Sequence, residues 1–241
     1  MSVLLCVIFA ACSKEGDNFY ILSSDGVESS NPNYIIRYKT TDGVILRFEN
    51  EDVFGGAKLI SNKYSTTNGY GTLVFDSEVT AIESGAFSEK TTLSNITLPN
   101  SVVTIKSSAF SGCSKLKGLT IPNSVKSIGS SAFSGCSGLN SITIPDGVTS
   151  IGYDAFWGCS GLTSITIPDG VTSIGMEAFS NCDGLKSVYV KGSSPASVDY
   201  YYGDAFEYDI ATLYVPKGSL EAYRNAYGWN KFENIQEWDA K

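Results

Sequence analysis

The chain has no histidine among its 241 residues. That removes the commonest general base, the Ser–His and Cys–His nucleophile pairs, and most zinc sites. A surplus of positive charge is also missing. There are 17 Lys and Arg against 25 Asp and Glu, a net charge of −8. This balance repels phosphate backbones and anionic headgroups and excludes nucleic acid as a partner. Beyond residue 11 there is no long apolar run, so the sequence offers no bilayer-spanning helix. The chain does have 42% hydrophobic residues, enough to bury a sizeable core, and six cysteines, four of them at a regular spacing.

Residues 79–190 are organised as one repeated phrase. Ala-Phe recurs at Phe87, Phe110, Phe133, Phe156 and Phe179, with a step of 23 each time. An aliphatic-proline pair at Pro99, Pro122, Pro145 and Pro168 keeps the same step, as do Cys113, Cys136, Cys159 and Cys182. A fixed period in the low twenties means stacked structural units rather than one closed globular core. Within one unit, Ile142 and Ile144 point to one side of a strand and Ser141 and Thr143 to the other. Pro145 ends that strand, because it has no N–H for the ladder. Asp146-Gly147 turns the chain, and Val148 and Ile151 face inward on a second short extended piece. Stacking aligns the phenylalanines as a buried column, each ring contributing about 1.5–3 kcal/mol relative to exposure. At a strand spacing of about 4.8 Å, five turns run roughly 24 Å.

The pattern Cys-x-x-Leu-x-x-Ile-x-Ile-Pro-x-x-Val-x-x-Ile-Gly-x-x-Ala-Phe resembles the BspA-like class of leucine-rich repeats. The resemblance covers residues 79–190, and Tyr214-Val-Pro-Lys-Gly-Ser-Leu-Glu-Ala-Tyr fits the usual frame of such proteins. It implies a right-handed, mostly β leucine-rich-repeat solenoid. Each 23-residue turn would hold one strand joined by short bends or helical turns, between an N-terminal β-hairpin cap and a C-terminal cap containing a helix. It also implies a binding role at the surface of Bacteroidetes cells, without fixing the ligand. The start of the chain bears on the same question. Residues 2–11 form a short uncharged apolar run, and Phe9-Ala10-Ala11-Cys12 resembles the lipobox of bacterial lipoproteins. Carried over, residues 1–11 are a signal peptide and Cys12 is the lipidated first residue of a linker, 12–18. Ser13-Lys14-Glu15-Gly16-Asp17 looks like the acidic export tag of Bacteroidetes surface lipoproteins. The implied location is the outer membrane, held by a lipid anchor and facing outside.

Residues 19–78 carry two hairpin signals. Segments 34–40 and 44–48 flank Asp42-Gly43, and segments 57–64 and 71–75 flank Asn68-Gly69. Two hairpins here would cover the open end of the solenoid. After Phe179 the next Ala-Phe ends at Phe206, a step of 27, so residues 191–241 are the last turn and cap. In that cap Leu220, Tyr223 and Tyr227 share a helix face, Ser219 suits its N-cap and Gly228 its stop. Trp229, Phe232, Ile235 and Trp238 supply apolar bulk to seal the end.

The cysteine column reads as buried free thiols filling space, because in-register side chains point the same way and four ligands in a line do not converge on zinc. Lys90 takes the place 23 before Cys113. Two outward rows remain: Asn95, Gly118, Ser141, Ser164, Ser187, and Thr97, Thr120, Thr143, Thr166, Tyr189. They read either as a solvated sheet face or as a flat site for a repetitive target such as a polysaccharide. Tyr200, Tyr201 and Tyr202 together with Tyr189 make a candidate aromatic platform, or else pack over the last turn. Asp199, Asp204, Glu207 and Asp209 match no Ca²⁺ loop. The sequence therefore points to a non-catalytic surface protein without cofactor or metal. It binds an extracellular protein or glycan, as an adhesin or as a glycan-binding accessory of polysaccharide uptake.

Overall fold

The computed structural model describes residues 20–23, 26–29, 31–48, 54–199, 204–206 and 211–240. Each repeat contributes two parallel strands, not the single strand expected. The short piece after the proline is itself a strand. Ala81–Ile82, Thr104–Ile105, Ser127–Ile128, Ser150–Ile151, Ser173–Ile174 and Ser197–Val198 pair in order as a six-stranded parallel sheet. Two residues suffice because the neighbouring turns offer the same two residues in register.

The longer strands make the other wall. Ser141–Thr143, Ser164–Ile167, Ser187–Val190, Thr212–Pro216 and Asn234–Trp238 form a second five-stranded parallel sheet. Leu93–Thr97 and Gly118–Thr120 also pair in parallel but belong to the N-terminal sheet. Among the described residues no ladder joins Gly118–Thr120 to Ser141–Thr143.

Between the walls lies the core. Phe87, Phe110, Phe133, Phe156, Phe179 and Phe206 stack with centroids 4.9–5.3 Å apart and planes within 12° of parallel. Phe206 joins the column despite the longer step. Cys113, Cys136, Cys159 and Cys182 are free and buried beside it. Each thiol donates to the carbonyl of the phenylalanine 26 residues earlier, at 3.0–3.2 Å. Burial pushes the Cys113 thiol up to about 12 and raises Cys136 and Cys159 further.

The bends around Ala-Phe turn by left-handed residues. Gly85, Ser108, Ser131, Asp154 and Glu177 have φ of 53–71° just before the alanine. Glu89, Gly112, Gly135, Gly158 and Asn181 have φ of 56–74° two residues after the phenylalanine. Their backbones hydrogen-bond to the following turn, as in Ser131 N–H to Tyr153 C=O at 2.7 Å. That ladder holds serine, aspartate and glutamate in a region that disfavours L-residues by about 1–2 kcal/mol.

At the N-terminal end the second expected hairpin forms. Leu59–Ser65 and Tyr70–Phe75 pair antiparallel around Gly69. The first does not. Ile35–Thr40 lies between Tyr70–Phe75 and Leu93–Thr97, antiparallel to both, so neither of its edges is free for residues 44–48. Those residues find side-chain partners instead. Val44 N–H donates to Asp42 and Val44 C=O accepts from Thr40. Leu46 N–H donates to the Tyr38 hydroxyl at 3.1 Å, and Leu46 C=O accepts from the Asn62 amide at 2.6 Å. Tyr38 lies across Gly71, where an added Cβ would sit 2.0 Å from the ring. The cap thus extends the repeat sheet rather than sitting over it, and Phe48 and Phe54 cover the exposed end of Phe87.

At the C-terminal end the helix is Leu220–Asn225. The Ser219 hydroxyl does not cap it but donates to Pro216 C=O at 2.5 Å. Tyr227 falls beyond the helix and is 54% exposed, so it does not share a face with Leu220 and Tyr223. Tyr223 and Trp229 are buried, donating to Gly192 C=O and Ala196 C=O at 2.8 Å each.

Candidate functional site

The longer strands alternate buried and open positions, which sets both hydroxyl rows on one face. Ser141, Ser164 and Ser187 pair in register, and so do Thr143, Thr166 and Tyr189. Thr120 is exposed on the neighbouring sheet, in register with Thr97. Cys12, Tyr200, Tyr201 and Tyr202 lie outside the described residues.

Tyr189 does have aromatic company, but from the last two strands of its sheet. In register beside it stands Tyr214, with the rings stacked at 4.6 Å and 12°. Trp238 meets the Tyr189 ring at 5.0 Å and 63°, and its indole N–H donates to Val190 C=O at 3.0 Å. All three rings are part-exposed. Trp238 therefore packs on the outer face rather than sealing the core. The signal for Tyr214 was present: Thr212-Leu213-Tyr214-Val215 repeats the alternation of Ser187-Val188-Tyr189-Val190 with a longer step. Trp238 carried no such signal, since its strand lies beyond the helix.

The outward positions from Ser141 to Trp238 are Ser, Thr, Tyr, Pro, Asn, Gln and Trp. None of these strand positions is charged, in a chain with 42 charged residues; just past the end of Ser187–Val190, Lys191 stands level with Pro216 and pairs with Asp146 at 3.0 Å. The N-terminal part of the same wall differs: Arg37 pairs with Thr97 and Lys39 with Asn95, and the Lys39 ammonium lies over the Tyr70 ring at 4.1 Å.

Acidic groups gather on the bends. Asp154 and Glu177 occupy equivalent places on adjacent turns, one period apart. Partial burial raises the Asp154 carboxyl above its usual range and Glu177 adds to this, while a hydrogen bond from Tyr153 opposes it. Neither lines the neighbouring open groove of about 440 Å³, whose walls include Ser150, Ser173, Ser197 and Asp199. The groove floor has a packing origin: a Cβ on Gly152 would stand 2.5 Å from the Ser130 backbone nitrogen of the previous turn. Asp204 forms an ion pair with Lys231. Among the described residues no cluster of three or more His, Cys, Asp or Glu is placed to hold a metal. Likewise, no described helix is long and apolar enough to cross a membrane.

Comparison with known proteins agrees with this architecture. A leucine-rich repeat protein of T. pallidum aligns with 69% of this chain and 82% of its own, at 26% identity and a TM-score of 0.51. A leucine-rich cell surface protein of Faecalibacterium prausnitzii is 25% identical, covering 66% of this chain and 54% of its own, with a TM-score of 0.40. A leucine-rich repeat protein of Bacteroides ovatus is 22% identical over 98% of this chain and 67% of its own, with a TM-score of 0.43. No functionally curated protein matches the chain. The profile of the BspA type leucine-rich repeat region matches in 6 copies, over residues 58–186 and 108–231. Those matches span well over half of the sequence, in the same turns that build the phenylalanine column, and the chain belongs to the BspA-type leucine-rich repeat family.

Proposed function

We propose that this is a non-catalytic binding protein that holds a host or community macromolecule against the open face of its longer-strand sheet. The observation that carries the reading is the row of uncharged outward strand positions from Ser141 to Trp238, which ends in three part-exposed aromatic rings. Membership of a repeat family whose surface proteins suggest interaction or adhesion supports it. Aromatic rings with polar tips are the side chains that most often anchor recognition. The paired carboxylates Asp154 and Glu177 sit on a bend outside the neighbouring groove, which favours binding over hydrolysis. The lipid on Cys12 anchors the protein in the outer membrane facing outside, which places the face where large partners reach it.

The test is a binding screen of the full chain against immobilised matrix and plasma proteins, mucins, and plant and microbial glycans. A variant combining Tyr189→Ala and Tyr214→Ala runs beside it. We expect at least one partner retained by the wild type and lost by the variant. A partner retained equally by both would move the site elsewhere on the solenoid. Anchoring is read separately: labelled fatty acid should enter the wild type and not Cys12→Ser.

A further inference from the structure

We infer that the ligand of this face is a neutral glycan, with one pyranose ring stacked on the uncovered side of Tyr189. The inference rests on the binding-face reading above and narrows it.

The geometry begins with ring orientation. Tyr189 and Tyr214 are in-register neighbours on parallel strands. Their ring centroids are 4.6 Å apart and their planes 12° from parallel. That separation is close to the strand spacing of about 4.8 Å. The rings therefore stand up from the sheet, with their faces turned along the stacking direction of the strands. Tyr214 covers one side of Tyr189, and Trp238 meets the ring at a steep angle, its indole N–H already held by Val190.

The other side of Tyr189 looks along the sheet towards its next register partner, Thr166. A threonine is too short to cover a tyrosine face. The result is a step. Its riser is the Tyr189 ring, and its tread is Thr166 and Ser164, followed by Thr143 and Ser141.

Step and tread match a pyranose in two respects. A sugar ring has an apolar C–H face that stacks on an aromatic face, and a rim of hydroxyls that both donate and accept. The tread offers hydroxyls with the same double capacity. The tread itself carries no charge and the nearby Lys191 ammonium is paired with Asp146, so the step does not favour acidic or basic polymers, and the net charge of −8 further disfavours uronates and sulfates. A protein partner instead needs a recess that desolvates an anchor side chain, and a flat row of Ser and Thr gives none. One step engages one ring, so single-site binding is weak. Many copies on one cell surface acting on one polymer raise the avidity.

The experiment uses the full chain, with wild type, Tyr189→Ala, Tyr189→Phe and Thr166→Arg compared. Each is retarded in native gels cast with a neutral β-glucan, xylan, mannan, galactan or amylose, and with polygalacturonate as the acidic control. Thermal unfolding of each variant checks that it is folded. Thr166→Arg blocks the step without removing any ring, so it tests the site even if Tyr189→Ala loosens the sheet. We expect retardation by at least one neutral polysaccharide. It should weaken at least about tenfold in Tyr189→Ala and in Thr166→Arg, and change less than about twofold in Tyr189→Phe. Retardation by no neutral polysaccharide overturns the inference, as does retardation by polygalacturonate alone. Retardation that Thr166→Arg leaves intact also overturns it. If the chain captures a protein through Tyr189 and no glycan, the inference falls while the binding-face reading stands. If Tyr189 matters to no partner, both fall.

Discussion

At the N-terminal end of the solenoid the chain reverses, whereas at the C-terminal end it carries on in the same direction. Ile35–Thr40 runs antiparallel to Leu93–Thr97, and a second antiparallel pair covers it. Thr212–Pro216 and Asn234–Trp238 instead extend the sheet in parallel and in register. Both ends stop the phenylalanine stack alike, by tilting rings against it. Phe48 and Phe54 meet Phe87 at 86° and 67°, while Trp229 and Phe232 meet Phe206 at 45° and 56°. A tilted ring sets its positive edge on a negative face and leaves no parallel face for another turn. The difference between the ends therefore lies in the sheet. Reversal puts Arg37 and Lys39 on the outer wall. Parallel continuation carries the outward row onward, and that is how Tyr214 comes to stand beside Tyr189.

The middle of the phenylalanine stack should be more sensitive to truncation than either end. Phe133→Ala should cost about 3–5 kcal/mol, since it opens a cavity in the middle of the stack. The half-buried Phe48→Ala should cost about 1–2 kcal/mol. Equal losses in urea unfolding would mean the end rings belong to the stack.

Alkaline titration separates the middle from both ends, because the thiol column runs only through the interior. Burial raises the folded pKa of Cys113 from about 9 to about 12. The thiol form is favoured on folding, so this contribution is whole below pH 9 and is lost as pH rises towards 12. At pH 10 the loss is about 1–2 kcal/mol per buried thiol. Unfolding temperature should fall from pH 8 to pH 10, and less steeply in a variant with Cys113, Cys136 and Cys159 all replaced by alanine. An unchanged slope would mean the thiols ionise alike in both states.

Tyrosine hydroxyls sharpen the contrast between the ends. Tyr38→Phe deprives Leu46 N–H and Asn62 of a shared partner and should cost about 1–3 kcal/mol. Tyr189→Phe should change stability by less than about 0.5 kcal/mol. The smallest effect belongs to the bends: Ser131→Gly relieves a left-handed serine and should stabilise by a few tenths to about 1 kcal/mol. A loss there would show that the serine side chain stabilises the turn by more than the strain it bears.

Much of the architecture was legible because the same residue type returned every 23 positions. The Phe, Cys and Ile-Pro columns and both hydroxyl rows could be read directly. The short strands were half legible, since Ile128, Ile151 and Ile174 showed inward positions but not that two residues suffice for a ladder. The first hairpin misled. Asp42-Gly43 does turn the chain, yet strand pairing is a competition, and Ile35–Thr40 already had two better partners. The candidate face was legible up to Tyr189 and not past it, because the longer step after Phe179 hid the equivalence of Tyr214.

The sequence by itself determined what is periodic: which side chains enter the core, where each strand ends, and which rows face outward. These follow from alternation, from proline's missing donor and from the fixed step, all local properties. The tertiary structure decided what depends on groups far apart in the chain. It joined Leu46 to Tyr38 and Asn62, placed serine and aspartate in left-handed bends held by the next turn, and laid Trp238 against Tyr189. Such contacts depend on which of several competing partners a hydrogen-bonding group or ring reaches once the turns are stacked, and no period specifies that.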